Sequence, residues 1–230
     1  MCGIFGIVSN SRIDPAEFRA LGQLSTARGN LGFGGLVVNR QGCDVYRYPI
    51  PFDAMKVPLQ DAIIALGHVR APTGGQSSNI AEVHPFETRD LLLAHNGLLL
   101  NHTDFPQWRI DPAQNVDSQV IIGGIQRHLD DGLPLAEAIK QTVEALDGQQ
   151  ACWLWHKPTS QIYLWRVMAP NYVSVHAAQD HHPQRLIFSS IKGPLAQNLL
   201  DEGIIYRLDP AVLSLSEVAN FAFYNPYRVS

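Results

Sequence analysis

The apolar and polar positions along the 230-residue chain fall into short runs rather than long ones. Cys2 to Val8 is nearly continuous apolar sequence broken by Gly3 and Gly6, the pattern of a strand covered on both faces where backbone passes close to a neighbour. Asp14-Pro15 opens a helix: proline in the first turn wastes no donor, and Phe18, Leu21 and Leu24 form an apolar face that runs to Arg28-Gly29. Leu36 to Val38 and Val45 to Tyr48, joined by Asn39-Arg40-Gln41-Gly42, read as a hairpin, and Ile63 to Val69 as a further strand. Leu91 to His95 and Leu98 to Leu100 read as two strand segments separated by a tight turn at Asn96-Gly97. Asp117-Ser118 precedes Val120, Ile121, Ile125 and Leu129, and a second stripe follows at Leu135, Ile139, Thr142, Val143 and Leu146, so two helices are expected. Ala151 to Trp155, Ile162 to Val167, Val173 to Val175 and Leu186 to Ser189 read as strands, Pro194 to Leu200 as a helix and Ile204 to Leu208 as the last strand. Strands grouped around a few helices, without strict alternation, predict an α+β fold rather than a doubly wound sheet.

Between Arg70 and Glu82 the composition shifts to Pro, Thr, Gly, Gln, Ser and Asn, which marks a surface loop of the kind that often carries function. No linker, repeat or low-complexity segment divides the chain, and residues 1–230 are read as one domain. With 46% hydrophobic residues the chain can build a sizeable core. The formal charge of −4, with no basic run, argues against nucleic acid and anionic membranes as partners. The longest apolar runs fall well short of the roughly 20 residues of a membrane helix. Cys2, Cys43 and Cys152 are widely spaced, which fits neither a disulfide framework nor a zinc site, and a reducing, cytoplasmic setting is expected. The adjacent His181 and His182 lack a third ligand and read as surface loop.

The chemistry concentrates near the start. Methionine before so small a side chain is removable, and its loss would leave Cys2 carrying a thiol and an α-amine on one residue. An α-amine titrates near ~7.7–8.0 and a thiol near ~8.5, so the amine can take the thiol proton at neutral pH without a histidine. Read alone, Cys2 is equally a buried strand cysteine, Asn96-Gly97 a plain turn, Asp117 a helix cap, Arg70 a surface ion-pair partner, His84 a structural histidine and Arg28 a cation at a helix C-terminus.

Read together, Met1-Cys2-Gly3-Ile4-Phe5-Gly6-Ile7-Val8, Arg28-Gly29-Asn30, Gly67-His68-Val69-Arg70-Ala71-Pro72-Thr73, His84-Pro85-Phe86, Ala94-His95-Asn96-Gly97 and Val116-Asp117-Ser118-Gln119-Val120-Ile121 occur in the order found in one family. The series resembles the class II, N-terminal-nucleophile (Ntn) glutamine amidotransferase domain over residues 1 to about 210. The resemblance implies a four-layer αββα sandwich of mainly antiparallel sheets. It implies Cys2 as the nucleophile toward the side-chain amide of L-glutamine, with a γ-glutamyl thioester intermediate, and the Asn96 side chain and Gly97 N–H as oxyanion donors. Arg70 and Asp117 would read the α-carboxylate and α-ammonium, with Thr73 and His84 supporting the substrate and Arg28 beside the nucleophile. The loop from Arg70 to Asn79 is expected to border the cleft and close over glutamine. Neither metal nor cofactor is implied. The chain reads as a free-standing glutaminase that delivers ammonia to a separate synthase or ligase partner. Leu31, Ala71-Pro72 and Gly74-Gly75 depart from the family's usual residues. An Ntn amidohydrolase acting on another amide and a non-catalytic or regulatory relative of the same fold stand as alternatives.

Overall fold

In the computed structural model the described residues are 2–71, 79–114, 116–167, 184–191 and 198–223, together with the backbone of 174–177. The first strand, β1 (Gly3–Ser9), is buried at every position. It is followed by α1 (Pro15–Ser25), the hairpin β2 (Gly32–Asn39) and β3 (Gly42–Tyr48), and β4 (Ile64–Arg70), again buried throughout. Then come β5 (Phe86–Glu87), β6 (Leu91–Leu99), α2 (Ser118–Asp130), α3 (Leu135–Ala145), β7 (Gly148–His156) and β8 (Gln161–Val167). The series ends with β9 (Ser174–Ala177), β10 (Arg185–Ser189), β11 (Asn198–Leu199), β12 (Ile204–Asp209) and β13 (Ser214–Asn220).

These strands form two sheets, ordered β11-β9-β10-β1-β4-β2-β3 and β13-β12-β8-β7-β6-β5. Every pairing is antiparallel. Side-chain alternation then assigns the layers. Phe5, Ile7 and Val69 on the first sheet pack against Phe18 and Leu21 of α1. Ile4, Val8 and Leu66 face Leu92, Ala94, Trp153 and Leu164 of the second sheet. Leu91, Leu93, Leu154 and Trp165 on the other side of that sheet bury Val120, Ile121 and Ile125 of α2 with Ile139 and Val143 of α3. The result is an αββα sandwich, as the family resemblance implies. The continuous apolar run of β1 is thereby explained: helix covers one face and the second sheet the other. Gly67, opposite Phe5 across β1 and β4, leaves room for the Phe5 ring, which a Cβ there would meet at 2.3 Å.

Four expectations are corrected. Asn96-Gly97 is not a turn: β6 runs unbroken through it, with Asn96 opposite Ala151 and Gly97 opposite Gln150. The glycine is there because a Cβ would lie 1.8 Å from the Gln149 carbonyl oxygen of the neighbouring strand. Leu24 does not join the buried face of α1; it is 50% exposed, while Phe18 and Leu21 are buried. Ile204 to Leu208 is not the last strand, since β13 follows and pairs with β12 around a register shift at Ile205/Tyr206. Asn198–Leu199 is an edge strand paired with Ser174 and Val175 rather than the end of a helix, and 192–197 lie outside the described residues. The segments containing Thr73 and His181-His182 lie outside them as well.

The two sheets are joined by a polar contact as well as by packing: the buried Trp153 Nε1 donates to the Gly67 carbonyl oxygen at 3.1 Å. Trp153→Ala is expected to cost about 3–5 kcal/mol through cavity formation and the loss of that bond. Urea unfolding checks this, with a lower midpoint and an unchanged slope.

Candidate functional site

A cleft of about 410 Å³ opens where the sheets end near Cys2, and Arg70, Ala71, Glu82, His84, Gly97 and Asp117 are among the residues lining it. Cys2 directly precedes the central strand β1 and is 8% exposed. Its sulfur sits against one peptide unit: Ala71 N–H donates to Sγ at 3.3 Å, and the thiol lies 3.8 Å from the Ala71 carbonyl oxygen. Burial is the largest influence on the thiol and pushes its pKa up; the Ala71 hydrogen bond and Arg70 pull it down, while Asp117 adds to the rise. A cysteine so placed rests as a thiol and needs a base before it can attack. Cys152 is buried and Cys43 exposed; neither lines this cleft.

The Arg28 guanidinium is turned to backbone, with Nε donating to the Cys2 carbonyl at 2.7 Å and Nη1 to the Ser190 carbonyl at 3.3 Å. It therefore ties the start of β1 to the segment after β10.

Strand geometry sets up Asn96 and Gly97. Along β6, Leu92 and Ala94 point into the layer between the sheets, and alternation sends Asn96 the same way. Its side chain is wholly buried, and neither its amide nitrogen nor its oxygen has a hydrogen-bond partner among the described residues. Just beyond, Leu100 N–H bonds toward β7, to Asp147 O at 2.8 Å, whereas Leu99 N–H points the other way, to Asp117 Oδ2 at 2.9 Å. Gly97 N–H shares the direction of Leu99 N–H, away from β7, and β5 pairs only with Leu92 and Leu93 on that side. A buried amide side chain and a backbone N–H are thus presented at the same end of the sandwich as the Cys2 sulfur.

The charged groups flank this end. Arg70, at the end of β4 with its side chain 8% exposed, forms an ion pair through Nη2 with Glu82 Oε2. Glu82 belongs to the short 3-10 turn Ile80–Glu82, which Asn79 caps by accepting from Ala81 N–H. Asp117 caps α2: Oδ1 accepts from Ser118 N–H at 2.7 Å, and Oδ2 takes the Leu99 N–H. The Ser118 hydroxyl lies between Asp117 Oδ1 at 3.2 Å and His95 Nδ1 at 2.9 Å. His95 Nε2–H donates to Gln149 O at 3.1 Å, which leaves Nδ1 as the acceptor. On the cleft wall, His84 makes a tilted contact with His68, their ring centroids 4.1 Å apart, and the His84 ring nitrogens lack partners among the described residues. Burial is the main cause that lowers both pKa values, that of His68 to about 3, so both imidazoles are neutral near pH 7.

Cys2, Arg70, His84, Gly97 and Asp117 line one cleft, Arg28 braces the Cys2 backbone, and Thr73 falls outside the described residues. Sequence reading singled out neither Glu82 nor the His95–Ser118 contact. Glu82 carried a signal, being the sole charged residue between Ala71 and Pro85. Among the described residues no group of three or more His, Cys, Asp or Glu could hold a metal ion, and no helix is long and apolar enough to cross a membrane.

Stacked antiparallel sheets between helix layers, with a cysteine at the head of a central strand, define an Ntn-hydrolase-type sandwich. No family model matches the chain. The amidophosphoribosyltransferase of Pasteurella multocida is 31% identical over 176 residues, 66% of this chain and 34% of that protein. The isomerizing glutamine–fructose-6-phosphate aminotransferase of Halobacterium salinarum is 28% identical over 164 residues, 66% of this chain and 26% of that protein. The chain thus spans about a third or less of the length of these curated relatives. Among solved structures, the glutamine phosphoribosylpyrophosphate amidotransferase from B. subtilis, complexed with ADP and GMP, superposes with a TM-score of 0.70 at 20% identity, covering 94% of this chain and 49% of that one. A glutamine aminotransferase class-II domain protein from Silicibacter pomeroyi superposes with a TM-score of 0.61 at 15% identity, covering 96% of this chain and 100% of that one. By these comparisons the chain is similar to the class II glutamine amidotransferase domain.

Because Asp117 both caps α2 and holds the Leu99 N–H, Asp117→Ala is expected to destabilise the fold by about 1–2 kcal/mol, whereas Asp117→Asn, which keeps an acceptor oxygen, retains most of that stability. Denaturant unfolding of the two variants checks this.

Proposed function

We propose that, once Met1 is removed, the protein hydrolyses the side-chain amide of L-glutamine on Cys2 and passes the ammonia to a separate synthase or ligase. The observation that carries the reading is the cleft itself: a buried cysteine at the head of β1, an Asn96 amide without a partner among the described residues and an outward Gly97 N–H at the same end, and Arg70 and Asp117 on the walls. The freed α-amine of Cys2 takes the thiol proton, and the sulfur attacks the amide carbon. Asn96 and Gly97 hold the oxyanion. The carbon–nitrogen bond then breaks, the amine returns the proton to the leaving nitrogen, and ammonia departs from a γ-glutamyl thioester. Water attacks the thioester carbon, the carbon–sulfur bond breaks, and glutamate leaves with the Cys2 thiol restored.

Arg70 holds the α-carboxylate in a fork of donors and Asp117 the α-ammonium, so amides without those charges bind less well. His84, neutral by burial, and Thr73 support the bound substrate, and Arg28 fixes the Cys2 carbonyl and hence the direction of the nucleophile. Support for an ammonia-consuming partner comes from the names of the relatives, transferases several times the length matched here. The protein is read as one glutaminase domain working in the cytoplasm.

Cys2→Ala is expected to abolish release of ammonia and glutamate from L-glutamine, while Cys43→Ala and Cys152→Ala keep turnover; a coupled glutamate assay with intact-mass confirmation of Met1 loss measures this. Diazo-oxo-norleucine should label Cys2, and labelling mainly at Cys43 or Cys152 would overturn the assignment.

Asn96→Ala should lower kcat by about 10²–10³-fold with a smaller change in KM, since its contact strengthens as the oxyanion forms. Steady-state kinetics decide, and an unchanged kcat removes Asn96 from that role.

A further inference from the structure

Arg70, Glu82 and Asp117 are the charged Asp, Glu, Lys or Arg residues lining the Cys2 cleft among the described residues. The two carboxylates are not equivalent. Asp117 is engaged by the fold, with one oxygen on Leu99 N–H and the other on Ser118. Glu82 is bound to Arg70 alone among the described residues, and its side chain keeps 25% exposure toward the cleft.

A half-buried ion pair at this position suits one kind of guest. A free amino-acid end carries a cation and an anion on the same carbon. When it enters, its carboxylate can settle on donors of the Arg70 fork while its ammonium settles on Glu82, so that no charge is left buried and unpaired. A guest with the carboxylate but no ammonium would place a second anion on the one guanidinium and leave Glu82 less well compensated.

We propose that Glu82 is a specificity-determining residue that receives the substrate's α-ammonium while paired with Arg70, so that the cleft selects amides bearing a free α-amino acid end. The assignment rests on the glutaminase reading above and adds to it a second anionic contact beside Asp117. Arg70 and Glu82 act as a preformed unit: the arginine holds the carboxylate of the guest and of Glu82 together, and the guest's own cation balances them.

The test compares L-glutamine with glutaramate, the same amide and carboxylate without the α-amine, by calorimetric binding to the Met1-processed Cys2→Ala protein with and without Glu82→Gln. Glu82→Gln should weaken L-glutamine about tenfold or more, the scale of one lost charge-assisted hydrogen bond, and leave glutaramate unchanged or tighter. Glu82→Asp, which keeps the charge, should retain preference for glutamine, and Glu82→Ala, with the same expected loss, serves in place of Glu82→Gln if that variant fails to fold. Equal weakening of both ligands would reduce Glu82 to a holder of Arg70, tighter binding of both would make it a competitor of the substrate, and no change in either would give it no part; each overturns the proposal. Failure of the Cys2→Ala protein to bind either ligand instead overturns the glutaminase reading, and the proposal with it.

Discussion

Everything at the site depends on how the start of the chain is held. A terminus ordinarily frays, because few contacts oppose its conformational freedom. Here the residue after Cys2 already belongs to the central strand of a sheet, with Gly3 opposite Val69 on β4 and Phe5 opposite Ser189 on β10. Arg28 clamps the Cys2 carbonyl, and the Ala71 peptide holds the sulfur. Ile4 N–H is satisfied by the Ser190 hydroxyl at 2.9 Å rather than by water. These contacts come from separate parts of the chain, so the sulfur's position is over-determined. That rigidity is what a nucleophile needs if its reacting atom is to sit within about 3–3.5 Å of a carbonyl carbon.

The same alternation that builds the core also builds the cleft. Ile4, Leu66, Leu92 and Ala94 fill the layer between the sheets. One or two positions further along the same strand faces stand Cys2, His68, Arg70 and Asn96, all buried and all but the cysteine polar. An apolar layer thus turns polar at one end without any change of fold. The nitrogens and oxygen of His84 and Asn96, which have no partner among the described residues, make that end costly, since a buried polar group without a partner loses its hydration for nothing. Such a cost persists where the groups meet a guest rather than each other, and the apolar remainder of the sandwich carries the stability that offsets it.

Much of this was legible in the residues and some was not, for reasons that differ by element. The β1 run, α2 with its Asp117 cap and the β2–β3 hairpin carry strong local signals, because the burial that shapes them is periodic in the sequence. Asn96-Gly97 misled because the pair that favours a tight turn also serves where a neighbouring strand comes too close for a Cβ, a fact about Gln149 that lies far away in sequence. Strand β13 was hidden because an edge strand is half exposed and its SLSEVAN sequence has little apolar alternation. Glu82 stood out only as a lone charge in a polar segment; that it pairs with Arg70 is a tertiary fact that no spacing reveals. The order of the motifs brought the nucleophile and the wall residues together; the contacts among them are tertiary.

The backbone's share of the site also accounts for one departure from the family pattern. Where the family has an aromatic residue after the arginine, this chain has Ala71. The contacts that Ala71 makes with the sulfur use its N–H and its carbonyl, neither of which depends on the side chain. The same close approach explains Gly29, where a Cβ would meet Ala71 atoms at 2.5 Å. Gly97 follows the same logic, because the group it offers the cleft is an N–H that strand direction orients. A site whose anchors are peptide groups tolerates side-chain drift at those positions, provided the strands keep their register. On the proposed glutaminase reading, the residues that cannot drift are those whose charge or sulfur would itself be the reagent: Cys2, Arg70, Asp117 and, through its pairing with Arg70, Glu82.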